Sequence, residues 1–145
     1  MNSEPPIVVE VTVTSPAERV WRAITDGAEM PLWFFQEIRA FRPERGFETT
    51  FDVRNEGKVY PHHWKVTEVV PNQRIVYDWL YTGFPGASFV SWELAPAAEG
   101  TRLTLTHTGS STFPQSDPAF TRESCRGGWE YFLGRLKAHV EADSA

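Results

Sequence analysis

From Phe47 to His107 apolar side chains fall on alternate residues, and beyond residue 121 they recur every three or four. A half-buried strand repeats every two residues and a helix every 3.6, so this switch predicts a run of strands followed by one long helix. Phe47, Thr49, Phe51 and Val53 alternate with Glu48, Thr50 and Asp52 before Asn55-Glu56-Gly57 turns the chain. Tyr60, His62, Trp64 and Val66 share one face of the next strand. Pro71-Asn72 leads into Ile75, Tyr77 and Trp79, and Gly83-Phe84-Pro85-Gly86 into Val90, Trp92 and Leu94. The last strand turns Leu103, Leu105 and His107 inward and Arg102, Thr104 and Thr106 outward. Residues 38–108 are therefore expected to form an antiparallel meander with one covered face.

The cover is the C-terminal segment, where Cys125, Trp129, Phe132, Leu136 and Val140 recur at helical spacing after an Asp117-Pro118 start signal. Ahead of the meander, Ile7, Val9, Val11 and Val13 mark a first strand. Ser15-Pro16-Ala17-Glu18 then reads as a helix start, with Ser15 as cap, Pro16 at the first helical position and Glu18 closing a capping box. Ala17, Val20, Trp21 and Ile24 form its apolar stripe, and Asp26-Gly27 ends it. A second short helix is expected over residues 28–35, carrying Trp33 and Phe34. Glu68 points inward unless a bulge intervenes, and the Val69-Val70 doublet suggests one. The order is strand, two short helices, six strands, long helix, an α+β arrangement.

A chain of 145 residues suits one domain. We expect it to span residues 7–142, with a flexible N-terminus at 1–6 and a tail at 143–145. The single cysteine, Cys125, leaves no internal disulfide and favours a reducing, cytoplasmic setting. Fourteen Lys and Arg against nineteen Asp and Glu give a net charge of −5. No basic cluster interleaves with aromatics, which argues against nucleic acid as a partner. No apolar run approaches the ~20 residues that cross a bilayer, and the first residues lack the order of a signal peptide, so no membrane partner is expected.

SPAERVWRAITD near the start, TRLTLTHTG on the last strand and GGWEYFLGRL in the final helix stand in an order that resembles a known family. It is similar to the SRPBCC (START-like) superfamily, in the branch named after the activator of the heat-shock-protein-90 ATPase, over about residues 7–142. The resemblance implies a helix-grip fold: a curved seven-stranded antiparallel sheet wrapped around the C-terminal helix, with a cavity between them. In the eukaryotic co-chaperone this module is joined to a chaperone-binding domain, for which the chain is too short. Single-domain relatives are mostly cavity binders, some of them recruited for catalysis.

The inward face is rich in rings that carry a polar atom: Tyr60, Trp64, Tyr77, Trp79 and Trp92, joined by His62 and His107. Such rings suit a pocket for a flat ligand, and they equally suit a core packed around the final helix. Trp129 faces them from the helix, while Phe113 in the GSSTFPQSD segment and Trp33 with Phe34 are candidate rims of the mouth. Gly127-Gly128 either lets the helix pack closely or leaves room beside Trp129. His62 and His63 point to opposite faces, and His62 and His107 stand about 14 Å apart on a flat sheet, so no metal site is expected. The chain has no Gly-x-Ser-x-Gly elbow, no phosphate loop and no dinucleotide fingerprint, so no cofactor is expected either.

The leading reading is a binder of a small hydrophobic molecule, aromatic or polycyclic, held by Trp33, Tyr60, His62, Trp64, Tyr77, Trp79, Trp92, His107, Phe113 and Trp129. Two alternatives stay open. One is acid–base catalysis in the same pocket by an inward His with a Tyr donor, which a near-neutral His pKa would favour. The other is a module for a protein client, which a large exposed apolar patch would favour. A homodimer is also left open.

Overall fold

A computed structural model describes residues 5–142. The elements are β1 (Ile7–Val13), α1 (Ala17–Thr25), β2 (Glu48–Asn55), β3 (Lys58–Val70), β4 (Arg74–Tyr81), β5 (Ser88–Ala97), β6 (Gly100–Thr108) and α2 (Arg122–Ala142). The six strands form one antiparallel sheet in the order β1-β6-β5-β4-β3-β2. Consecutive hairpins build β2 to β6, and β1 closes onto β6 with Ile7 opposite His107.

Register sets the inner face. Trp64 pairs with Trp79, Tyr77 with Val90, Trp92 with Leu105, and Leu94 with Leu103. Because successive side chains alternate, these pairs put all the predicted inward rings on one side. Helix α2 covers that side through Trp129, Leu133, Leu136 and Val140. Leu133 replaces Phe132 as the fully buried member of the stripe, and Phe132 is only half buried.

Several local expectations are corrected. The sheet has six strands rather than seven, because residues 38–47 run as irregular chain. Phe41 packs its backbone against Gly27, where an added Cβ would lie 2.6 Å from Phe41 N, and Pro43 has no N–H for a ladder. The second helix shrinks to a single 3-10 turn, Met30–Leu32. Trp33 and Phe34 are buried and Phe35 half buried, and three consecutive residues fan over about 200° in a helix, too wide for one buried stripe.

The caps differ as well. Pro16, not Ser15, holds the N-cap of α1, and no side chain caps it. Ser15 instead ties the chain across the core: its Oγ donates to Val140 O at 3.1 Å, and its carbonyl accepts from Thr101 Oγ1 at 2.8 Å. Asp117-Pro118 opens a 3-10 turn, Pro118–Phe120, and α2 begins only at Arg122, with Thr121 Oγ1 accepting from Ser124 N at 3.3 Å. The bulge falls between Val66 and Glu68, ahead of the valine doublet, so Glu68 faces outward and pairs with Arg74 at 3.3 Å.

Candidate functional site

Between the β3–β4–β6 face and the first turns of α2 lies a chamber of about 110 Å³. Its walls are Phe35, Trp79, Trp129 and Phe132, with His62, Tyr81, His107, Ser124 and Cys125 contributing polar atoms. A second chamber of about 290 Å³ shares Phe35, His62 and Tyr81 with it and continues past Tyr60, Asn55 and Phe120. Beyond Tyr60 and Ala119 an outer groove of about 400 Å³ reaches Lys58, Ser116 and Asp117 at the surface. The three adjoining spaces thus grade from a charged lining at Lys58 and Asp117 to an apolar one at Trp79 and Trp129.

Gly128 lines the inner chamber, and a Cβ built there or on Gly127 would touch nothing within 4 Å. Gly128 therefore leaves room beside Trp129 instead of permitting close contact, while Gly127 is exposed.

The two inward histidines are held differently. His107 is clamped on both nitrogens, by Trp129 Nε1 at 3.1 Å on Nδ1 and by Ser88 Oγ at 2.9 Å on Nε2. An indole N–H only donates, so Nδ1 accepts. The Ser88 hydroxyl gives its proton to Trp79 O at 2.7 Å, so His107 Nε2 donates to Ser88. This is a neutral imidazole with no free lone pair. His62 has Nδ1 2.9 Å from Tyr60 O, which makes Nδ1 the protonated nitrogen and leaves Nε2 as an acceptor. Among the described residues Nε2 has no hydrogen-bond partner. Burial pushes both imidazoles down, from the usual 6.5 to about 4. Trp79 lies 5.4 Å from the His62 ring and 5.7 Å from the His107 ring, centroid to centroid. Both histidines therefore approach one indole more closely than a flat sheet with a 14 Å separation suggests.

Not all the residues expected at the site line these chambers. Trp33 is buried, stacks on Phe34 at 4.7 Å and donates Nε1 to Ala23 O at 2.8 Å, so it sits in the core behind the site. Trp92 is likewise enclosed, donating to Tyr77 Oη at 3.0 Å, and burial raises the Tyr77 phenol. Trp64 is fully buried, stacked on Tyr77 at 4.9 Å, with no partner for its Nε1 among the described residues. Phe113 is buried too, in a satellite cluster with Tyr60 and Phe120 that packs beside Tyr81 and Phe84. Trp79, His62, His107 and Trp129 line the inner chamber, and Tyr60 lines the outer two.

Sequence reasoning passed over Tyr81 and Phe35, which form the junction of the two chambers. Tyr81 Oη accepts from Trp79 Nε1 at 2.7 Å and stacks edge-on to His62 at 4.7 Å. The alternation Tyr77, Trp79, Tyr81 carries the signal for it. Burial raises the Tyr81 phenol, and it pushes the Cys125 thiol up to about 11, so Cys125 is a thiol, not a thiolate, at neutral pH. His63 faces outward, with Nε2 3.7 Å from Glu48. Among the described residues no group of three His, Cys, Asp or Glu could hold a metal ion.

At the mouth, Asp117 accepts from Lys58 Nζ at 2.7 Å, from Ala119 N at 3.0 Å and from Tyr60 Oη at 3.1 Å. The Lys58 contact is foremost in holding its carboxyl below the usual value. These bonds fasten the segment between β6 and α2 to the β2–β3 hairpin.

The sequence profile of the family described as Activator of Hsp90 ATPase homolog 1-like protein matches residues 14–141. Among curated proteins none matches the chain. Solved structures share the fold. Protein CV1439 from Chromobacterium violaceum is 25% identical with a TM-score of 0.79, over 94% of this chain and 97% of that one. Protein MLL2253 from Mesorhizobium loti is 26% identical with a TM-score of 0.74, over 97% and 98%. DynU16, from the dynemicin biosynthetic locus, is 26% identical with a TM-score of 0.68; the match takes in 95% of this chain and 48% of DynU16.

Proposed function

This chain belongs to the Activator of Hsp90 ATPase homolog 1-like family, and we propose that it binds a small apolar, ring-bearing molecule between the sheet and α2. One observation carries the reading: an apolar chamber walled by Phe35, Trp79, Trp129 and Phe132, which no side chain of the protein fills. Burying a ring there removes apolar surface from water at about 25 cal/mol per Å², which is ample for micromolar to millimolar affinity. A neighbour from a biosynthetic locus, DynU16, fits a role in handling small molecules.

Volume narrows the ligand. The inner chamber, at about 110 Å³, is somewhat smaller than the ~150 Å³ cavity that holds benzene. With the adjoining chamber it reaches the low end of the 300–1,000 Å³ typical of ligand pockets, as an order of magnitude. Of the aromatic and polycyclic molecules expected, a single ring with one short substituent suits the inner chamber better.

Acid–base catalysis draws on His62 and Tyr81, and the imidazole argues against it. A base whose conjugate acid titrates near 4 accepts a proton poorly at neutral pH, and His107 has no free nitrogen. For a protein client, the large apolar side chains exposed among the described residues are Val8, Leu32, Phe89 and Tyr131. They are spread over β1, the 3-10 turn, β5 and α2.

The test is tryptophan fluorescence excited at 295 nm during titration with toluene, indole and naphthalene. Saturable quenching by the single-ring compound, reduced in Trp79→Phe and Trp129→Phe, supports the reading. No response to any of the three removes it.

A further inference from the structure

The junction of the two chambers holds one unused hydrogen-bond acceptor and one unused donor. The acceptor is His62 Nε2: the Nδ1 proton is committed to Tyr60 O at 2.9 Å, so the neutral ring keeps a bare lone pair on the other nitrogen. The donor is Tyr81 Oη. It accepts from Trp79 Nε1 at 2.7 Å, and because an indole cannot accept, the phenolic proton remains free. Among the described residues no hydrogen bond joins these two groups, although their rings lie 4.7 Å apart. Both side chains line both chambers. His62 is only 4% exposed, so its unmet acceptor meets little solvent and faces a space that a ligand can enter.

The inner chamber has no Lys, Arg, Asp or Glu in its lining, and neither His107 nitrogen is available to a ligand. A charged ligand group would be stripped of water with nothing to neutralise it. A carboxylate or ether oxygen accepts only and leaves His62 Nε2 unmet. An ammonium donates only and leaves the Tyr81 proton unmet. A hydroxyl does both with one atom, and it adds almost no volume to a ring in a chamber of about 110 Å³.

We infer that the site selects a neutral monocyclic phenol or small aromatic alcohol, whose hydroxyl donates to His62 Nε2 and accepts from Tyr81 Oη. This deepens the binding reading above and rests on it. The ring lies against Trp79, Trp129 and Phe132, and the hydroxyl sits at the Phe35 junction. Discrimination comes from the polar pair, because a site built to satisfy a hydroxyl rejects the analogue lacking it far more strongly than a plain apolar pocket does.

The experiment compares phenol, toluene and anisole by fluorescence excited at 295 nm, with calorimetry as a second readout. Phenol should bind at least tenfold more tightly than toluene, and anisole, which cannot donate, should fall near toluene. Tyr81→Phe and His62→Phe should each bring the phenol-to-toluene ratio below about threefold. Equal binding of phenol and toluene by the unaltered protein overturns this inference and leaves the apolar-cavity reading standing. Binding of neither overturns both. The anisole comparison needs no variant, so it decides the matter even if a substitution prevents folding.

Discussion

Trp129 on α2 donates its indole N–H to Nδ1 of His107 on β6 at 3.1 Å, which joins helix to sheet through a buried polar bond. The bond has one direction only, and it orders the rest of the chain: His107 Nε2 to Ser88 Oγ, then Ser88 to Trp79 O. The relay fixes one neutral tautomer of His107 and the orientation of the indole that forms the chamber wall. Trp129→Phe keeps a ring but strands a buried acceptor, so urea unfolding should show a loss of about 1–3 kcal/mol. A loss under about 0.5 kcal/mol, the range of an ordinary surface change, would contradict the relay.

The two buried imidazoles make stability depend on pH. Both titrate near 4 when folded and near 6.5 when unfolded, so between those values the unfolded chain binds more protons. Stability is therefore fully present above about 6.5 and declines as pH falls towards 4. Each imidazole contributes on the order of 3 kcal/mol at full extent, because burial holds its folded value well below the unfolded one. The window from pH 6.5 to 5 lies above the carboxylate range and is the one to measure by urea midpoint. The slope there should fall by about half in His107→Gln; an unchanged slope would contradict the assignment.

Gly128 and Gly134 separate stability from binding. Each lies inside α2 with open space where a Cβ would stand, so alanine at either should stabilise the helix by up to about 1 kcal/mol. Only Gly128 borders the inner chamber, and Gly134 is exposed. Toluene affinity should drop in Gly128→Ala and vanish in Gly128→Leu, while Gly134→Ala binds as the parent does. Equal effects of the two alanines on binding would count against the chamber as the site.

Asp117 fastens the segment after β6 to Lys58 and Tyr60 at the outer groove. Asp117→Ala should leave equilibrium affinity for toluene within about threefold and speed its dissociation, since the residue holds the mouth and not the chamber. Stopped-flow dissociation checks this, and an unchanged rate would mean that ligands leave by another route.

The alternation from Phe47 to His107 was enough to read which residues face inward, because strand register acts on every side chain at once. It did not tell core from pocket. Trp33, Trp64 and Trp92 are as aromatic as Trp79 and Trp129, and what separates them is what α2 covers: Trp92 is sealed, whereas Trp79 faces the gap at Gly128. The irregular run at 38–47 escaped the pattern because buried Ile38 and Phe41 are anchored by contact with Gly27 and the core, not by a ladder. Likewise the late start of α2 follows from Asp117 being taken up by Lys58 and Tyr60, partners more than fifty residues away in sequence.

The most direct test of the binding account uses the six indole N–H resonances of the ¹⁵N-labelled protein, one for each tryptophan. During titration with toluene, the signals of Trp79 and Trp129 should shift saturably and together, while that of Trp21 in α1, which lines neither chamber, stays in place. Shifts that never saturate, or that spare Trp79 and Trp129, would contradict a ligand site between the sheet and α2.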